Sequence, residues 1–104
     1  MYYIYQRIST DKQSLIRQEG IIGEYCQSNN IEVADENIFS DVITGKTIKR
    51  ENYQKMKQVI AKDDILIIQS LDRLGRNWDL IKKEWEELTH KGVYIIVIDC
   101  PLIN

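Results

Sequence analysis

Ile65-Leu66-Ile67-Ile68-Gln69-Ser70-Leu71-Asp72-Arg73-Leu74-Gly75-Arg76 joins an apolar tetrapeptide to a turn that carries two guanidiniums and a carboxylate. The four aliphatic residues follow the turn-forming pair Asp63-Asp64 and read as a buried strand. Open α/β sheets place their ligands in the crevice beyond the carboxyl ends of the strands, so an arginine-bearing turn at that point is a site candidate. Nearer the N-terminus, Tyr5-Gln6-Arg7-Ile8-Ser9-Thr10 has the same arrangement: a strand that ends in an arginine, then a hydroxyl at the mouth of a helix. Two such strand ends in one small sheet suggest a nucleophile facing an anion clamp.

The remaining periodicities alternate strands and helices. Residues 2–8 read as the first strand. Thr10, with Gln13 three residues on, has the spacing of a capping box. The helix it opens runs to about Ser28, with Leu15, Ile22 and Cys26 at helical spacing and Asn29-Asn30 as a left-handed stop. A second strand is expected from Ile31 to Phe39, and Ser40 to Lys49, which contains Thr44-Gly45, reads as a loop. A short helix marked by Tyr53, Met56, Val59 and Ile60 leads to the strand at Ile65. Asn77 can cap a further helix whose Trp78, Ile81, Trp85 and Leu88 form one apolar stripe, closed by Gly92, and Val93 to Ile98 is the last strand. At that spacing the stripe reads as a core face rather than a base-stacking platform, and the charged side from Lys83 to Glu87 reads as solvated. The pattern implies a three-layer α/β/α domain with a mostly parallel sheet of four to five strands and right-handed crossovers.

A chain of 104 residues is one domain, long enough to bury a core without staples. No apolar run has the length of a membrane span or signal peptide, so the expectation is a cytoplasmic protein that makes no membrane contact. Cys26 and Cys100 stand apart with no CxxC or Cys/His pairing, which excludes a zinc module and favours buried thiols. Net charge is −2, against the basic footprint usual for nucleic-acid binding. Distribution matters more than the total. Of five arginines, Arg7, Arg50, Arg73 and Arg76 fall at strand ends or in loops beside the proposed site. Arginine's planar fork grips phosphate oxygens at two points, which lysine cannot do.

Ser9 sits where unpaired helix N–H groups and the helix dipole favour a phosphate. A bare Ser-Thr before a helix is also an ordinary N-cap. Arg7, two residues upstream on the same strand face, adds the charge that an N-cap does not need.

Taken together, Tyr5-x-Arg7-Ile8-Ser9-Thr10, Gln13-Ser14-Leu15 with Gln18, the loop ending in Arg50, Leu71-Asp72-Arg73-Leu74-Gly75-Arg76 and the closing Ile98-Asp99-x-Pro101 resemble the catalytic domain of the serine recombinases, the resolvase and invertase family. The resemblance runs over essentially the whole chain. It implies that Ser9 attacks a DNA phosphodiester to give a 5′-phosphoseryl enzyme and a free 3′-hydroxyl, with later rejoining of strands. It implies that Arg7, Arg50, Arg73 and Arg76 hold the scissile phosphate, that Asp72 is the active-site acid, and that Gln13 and Gln18 are supporting polar groups. No cofactor and no metal are expected. The family also implies a longer parent that binds DNA and assembles as a dimer and a synaptic tetramer, of which residues 1–104 would be a weakly associating, inactive fragment.

Elementary chemistry agrees with that reading. His90, the only histidine, lies near a helix end rather than a strand terminus, so a Ser-His-Asp relay is not expected and arginine electrostatics must lower the barrier. Two rivals remain. Asp41, Asp72 and Asp99 near strand ends could form a magnesium-dependent, receiver-like phosphotransfer site, or the chain could be an idle assembly module of the same fold.

Overall fold

The computed structural model describes residues 1–9, 12–44, 47–48, 50–75 and 77–99; at 8, 9, 12–19, 43, 44, 47 and 48 it describes the backbone. The elements run β1 (Tyr2–Ser9), α1 (Lys12–Ser28), β2 (Ile38–Thr44), β3 (Thr47–Ile48), α2 (Glu51–Val59), β4 (Ile65–Ile68), α3 (Trp78–His90) and β5 (Tyr94–Val97). Single 3₁₀ turns occupy Asp35–Asn37 and Leu71–Arg73.

The strands form one sheet in the order β3-β2-β1-β4-β5. β1 pairs in parallel with both β2 and β4, β4 pairs in parallel with β5, and the two-residue β3 runs antiparallel to β2. The chain therefore leaves β1 toward one edge and later returns on its other side, which makes the gap between β1 and β4 the switch point of the sheet.

Alternation along the strands sorts the core into two faces. Tyr3 and Tyr5 of β1, Leu66 and Ile68 of β4 and Ile95 and Val97 of β5 pack with Tyr53 and Met56 of α2 and Leu88 of α3. Ile4 and Ile67 point the other way and meet Ile22 of α1, with Tyr25 and Cys26 beside them. The result is the three-layer α/β/α domain expected.

Local chemistry explains the element ends. The Asn77 side chain accepts a hydrogen bond from the Leu80 N–H at 2.9 Å and caps α3. Gly92 ends that helix with φ of +91°, a conformation that leaves no room for a Cβ against Lys62. Asn30 takes φ of +54° after α1, the left-handed stop the asparagine pair predicted. The capping box at Thr10 lies outside the described residues, as do Gly45, Lys49, Cys100 and Pro101.

Four readings need correction. The second strand begins at Ile38 rather than Ile31, because Asp35–Asn37 forms a 3₁₀ turn and only from Ile38 does the backbone pair with β1. Ile31 and Val33 pack beneath the sheet without joining its ladder. Most of the expected loop from Ser40 is strand, with Asp41 inside it, since that carboxylate finds three protein donors. Trp78, assigned to the apolar core stripe, is 67% exposed at the first position of α3, and Val59, one of the apolar residues that mark the short helix, is 55% exposed at the last position of α2. Glu84, expected in solvent, is buried at 5% exposure and bonds Lys57 of α2 at 2.9 Å.

Candidate active site

The carboxyl ends of β1 and β4 face each other across the switch point, and four of the expected site residues meet there. Arg7 lies on the Tyr3/Tyr5 side of β1, and its Nη2 approaches Asp72 Oδ2 at 3.9 Å. Asp72 Oδ1 also pairs with Arg73 Nη1 at 3.2 Å and accepts a hydrogen bond from Ser70 Oγ. One carboxylate thus bridges two guanidiniums, one from β1 and one from the turn that follows β4. Asp72 is largely open to solvent, while the side chains of Arg7 and Arg73 are mostly covered. Arg7 Nε and Arg73 Nε are buried and find no hydrogen-bond partner among the described residues. Burial, then the neighbouring charge of Arg73, pushes the pKa of Arg7 down, and Asp72 only partly offsets this. A pair of cations with one shared carboxylate and donors left over is a local excess of positive charge.

Arg50, the residue before α2, is held differently. Its Nη1 donates to the Leu74 carbonyl and its Nη2 to the Arg73 carbonyl, both at 2.9 Å. The guanidinium lies over the Tyr53 ring with its centre 3.9 Å from the centroid. Beneath it is a buried network that the sequence reading did not assign. Tyr5 O–H donates to Asp41 Oδ2 at 2.8 Å, and the same carboxylate accepts the N–H groups of Asn52 and Tyr53, each at 3.0 Å. Asp41 therefore caps α2 from a neighbouring strand and compensates the first-turn N–H groups. Burial, and then the bond to Asp41, pushes the Tyr5 hydroxyl up to about 12. The available signal was the Tyr3/Tyr5 alternation: a tyrosine on a buried strand face needs a partner for its hydroxyl.

Gly75 closes the turn. A Cβ there would fall 2.7 Å from Leu80 Cγ and 3.0 Å from the Ile81 backbone nitrogen, so only glycine lets the turn run this close to α3.

The other expected residues are less determined. Residue 9 is the last of β1, its backbone paired with Ile43, and its place two residues beyond Arg7 is set by that register. Residues 13 and 18 fall within α1. Arg76 lies outside the described residues. Asp41 is buried in its own network and Asp99 follows β5, and among the described residues no group of three His, Cys, Asp or Glu side chains is placed to hold a metal ion.

The family model for the resolvase N-terminal domain matches residues 2–103. The chain belongs to that family, the catalytic domain of the serine recombinases. Among curated relatives of this resolvase domain, the transposon Tn552 resolvase of Staphylococcus aureus is 35% identical over 89 residues, covering 86% of this chain and 41% of that protein. The DNA-invertase of Escherichia phage P1 is 32% identical over 90 residues, covering 86% and 44%. The chain therefore spans less than half the length of the curated relatives it matches. In fold it is similar to the crystal structure of the C-terminal catalytic domain of ISC1926 TnpA, an IS607-like serine recombinase, with a TM-score of 0.69 and 21% identity over 93% of this chain and 66% of that one. No helix among the described residues is long and apolar enough to cross a membrane.

Proposed function

We propose that this resolvase-family domain breaks and rejoins DNA by serine chemistry, as the catalytic part of a longer site-specific recombinase. Ser9 Oγ attacks the scissile phosphorus and loses its proton; the P–O bond to the 3′ carbon's oxygen breaks, and that oxygen leaves as a hydroxyl. A 5′-phosphoserine ester replaces the diester, so rejoining needs neither ATP nor another cofactor. Arg7, Arg73 and Arg76 neutralise the developing charge, Asp72 sets the spacing of the first two, and Gln13 and Gln18 support the site from α1.

The observation that carries the reading is the pair Arg7 and Arg73, drawn from two strand ends to one carboxylate, with an Nε of each buried and unbonded among the described residues. A bound phosphodiester supplies the missing acceptors. The receiver-like alternative is disfavoured because Asp41, one of its three carboxylates, is bonded to Tyr5 and the start of α2. An idle module has no use for a cation pair beside Ser9.

DNA recognition, dimerisation and synaptic assembly are assigned to parts of the parent beyond this domain, consistent with a net charge of −2 here. The parent should form a denaturation-resistant DNA adduct that is lost in Ser9→Ala and persists in excess chelator. Undiminished adduct in Ser9→Ala would move the nucleophile elsewhere, and a strict magnesium requirement for cleavage would restore the carboxylate reading.

A further inference from the structure

Arg50 is an arginine of the site whose two terminal nitrogens are already tied to the protein's own backbone. Both terminal nitrogens donate to consecutive carbonyls of the turn, at Arg73 and Leu74. Its flat face is covered by Tyr53, and the Tyr5 ring is 5.9 Å away. Each of those nitrogens spends one of its two protons on a carbonyl, and turning the guanidinium away toward a phosphate would draw both from the turn in a part-buried setting, which costs about 1–3 kcal/mol for each group left behind.

The position of Arg50 is itself determined from below. It is the residue immediately before α2, and the first-turn N–H groups of that helix are bonded to buried Asp41, which Tyr5 also holds. A rigid path thus leads from β1 and β2 through Asp41, the start of α2 and Arg50 to the backbone that carries Asp72 and Arg73. On the strand side the same sheet carries Arg7, whose Cα is register partner to Asp41.

We infer that Arg50 is a positioning residue, which clamps the Arg73–Leu74 backbone to the β1–β2 platform and so sets the separation of Arg73 from Arg7, rather than a contact to the phosphate. This rests on the functional reading above and refines the role of one member of the site. A misplacement of about 1 Å in a preorganised site costs on the order of 10²-fold in rate. Loss of the clamp should therefore act on the chemical step and leave the number of phosphate contacts unchanged.

The test has two arms. On the 104-residue chain labelled at its arginines, NMR should find the Arg50 guanidinium protons protected from exchange, and Arg50→Lys should shift the amides of residues 71–75 while the melt is largely kept. In the longer parent, Arg50→Lys should slow single-turnover adduct formation on the order of 10²-fold at saturating DNA, as a displaced site does. The slope of log affinity against log salt should stay as in the unsubstituted protein. Arg7→Ala serves as the benchmark and should flatten that slope by about 0.9, the value for one phosphate contact. Freely exchanging Arg50 protons, an unchanged rate in Arg50→Lys, or a slope flattened as in Arg7→Ala would each overturn the assignment. If Arg50→Lys does not fold, Asp41→Asn gives the second reading: it carries no phosphate contact, yet it should slow the same step with the slope unchanged. An unchanged rate there would count against the path from Asp41. Absence of any adduct from the unsubstituted parent would break the recombinase reading instead, with the exchange arm still deciding whether the clamp exists.

Discussion

The two faces of one sheet are built for different purposes. On the Tyr3/Tyr5 side, β1 and β2 present a tyrosine, a buried aspartate and an arginine to α2 and the Leu71–Arg73 turn, and Tyr5, Asp41 and Arg50 are bonded into one network while Arg7 and Arg73 each keep an unbonded Nε among the described residues. Among the described residues, the α1 side shows a cluster around Ile4, Ile22 and Ile67, beside an open cavity of about 330 Å³ that Ile22 and Cys26 help to line. Gln6 bonds Ser40 Oγ at 3.0 Å on that side, remote from the arginines. Successive residues of a single strand thus serve opposite ends: Arg7 enters the site and Gln6 does not. On the function proposed above, the densely bonded Tyr3/Tyr5 face is where geometry must be held, because the spacing of the two cations is set there.

The sharpest way to break this comparison is Arg73→Lys. It keeps the charge and loses two-point contact with phosphate, so the parent's cleavage rate should fall by about two to three decades, roughly 3–4 kcal/mol of barrier, with little change in melting. A melt that falls in proportion to the rate would make Arg73 structural and remove the functional distinction between the faces.

Packing density supplies the next contrast. Leu66→Ala, in the closed core under α2 and α3, should cost toward the upper end of the roughly 2–5 kcal/mol range for such truncations, and Ile22→Ala, beside an existing opening, toward the lower end. Chemical denaturation of both variants measures the difference. Equal costs would mean that the α1 side is as tightly packed as the other.

Gly75→Ala tests how closely the turn must approach α3. The added methyl meets Leu80 and the Ile81 backbone, so a loss of about 1–3 kcal/mol is expected, together with slower cleavage as the Arg73 backbone shifts. A neutral substitution would show that the turn can move without consequence.

The smallest effect belongs to the rim of the dense face, where Lys57 bonds buried Glu84 and, at 2.5 Å, the exposed Glu87. The bond to Lys57 pulls the Glu87 pKa down, so its contribution is present above the ordinary carboxylate range and is lost as pH falls through the depressed value. Burial alone would lower the pKa of Lys57, but the bonds to Glu87 and Glu84 outweigh it and raise the net value. Its contribution is accordingly lost only as pH climbs through that raised value, in strong alkali. Glu87→Gln should remove less than about 1 kcal/mol at neutral pH, because solvent screens so exposed a pair, and the difference should vanish in acid. Melts of the two proteins from neutral pH downward check this; a constant offset would assign the effect to packing.

Much of the domain can be read from one dimension. The apolar run at Ile65, the Asn77 cap, the left-handed stops at Asn30 and Gly92 and the alternation of elements are local signals, because hydrogen bonding within a turn and side-chain period depend on neighbours in sequence. Those signals, with the family motifs, were enough for the α/β/α architecture, for the resolvase family, and for naming Arg7, Asp72 and Arg73 as one group. The start of β2 escaped because Ile31 and Val33 have strand-like alternation, and only the partner strand decides where pairing begins. Trp78 and Glu84 changed places with expectation for the same reason: helical spacing tells which residues share a face, but how far the opposing layer extends is a tertiary matter.

What the sequence determined by itself was therefore the identity of the charged groups and the order of the elements that carry them. What only the tertiary structure decided was how those groups divide their bonds. Asp41 looked like a free strand-end carboxylate and is a helix cap; Arg50 spends a proton of each terminal nitrogen on a backbone carbonyl; Arg7 and Arg73 each keep a buried Nε with no partner among the described residues. A side chain's capacity for hydrogen bonds is written in its chemistry, but which of its partners arrives first depends on distances across the sheet. Those distances are set when β1, β2 and β4 pack around the switch point.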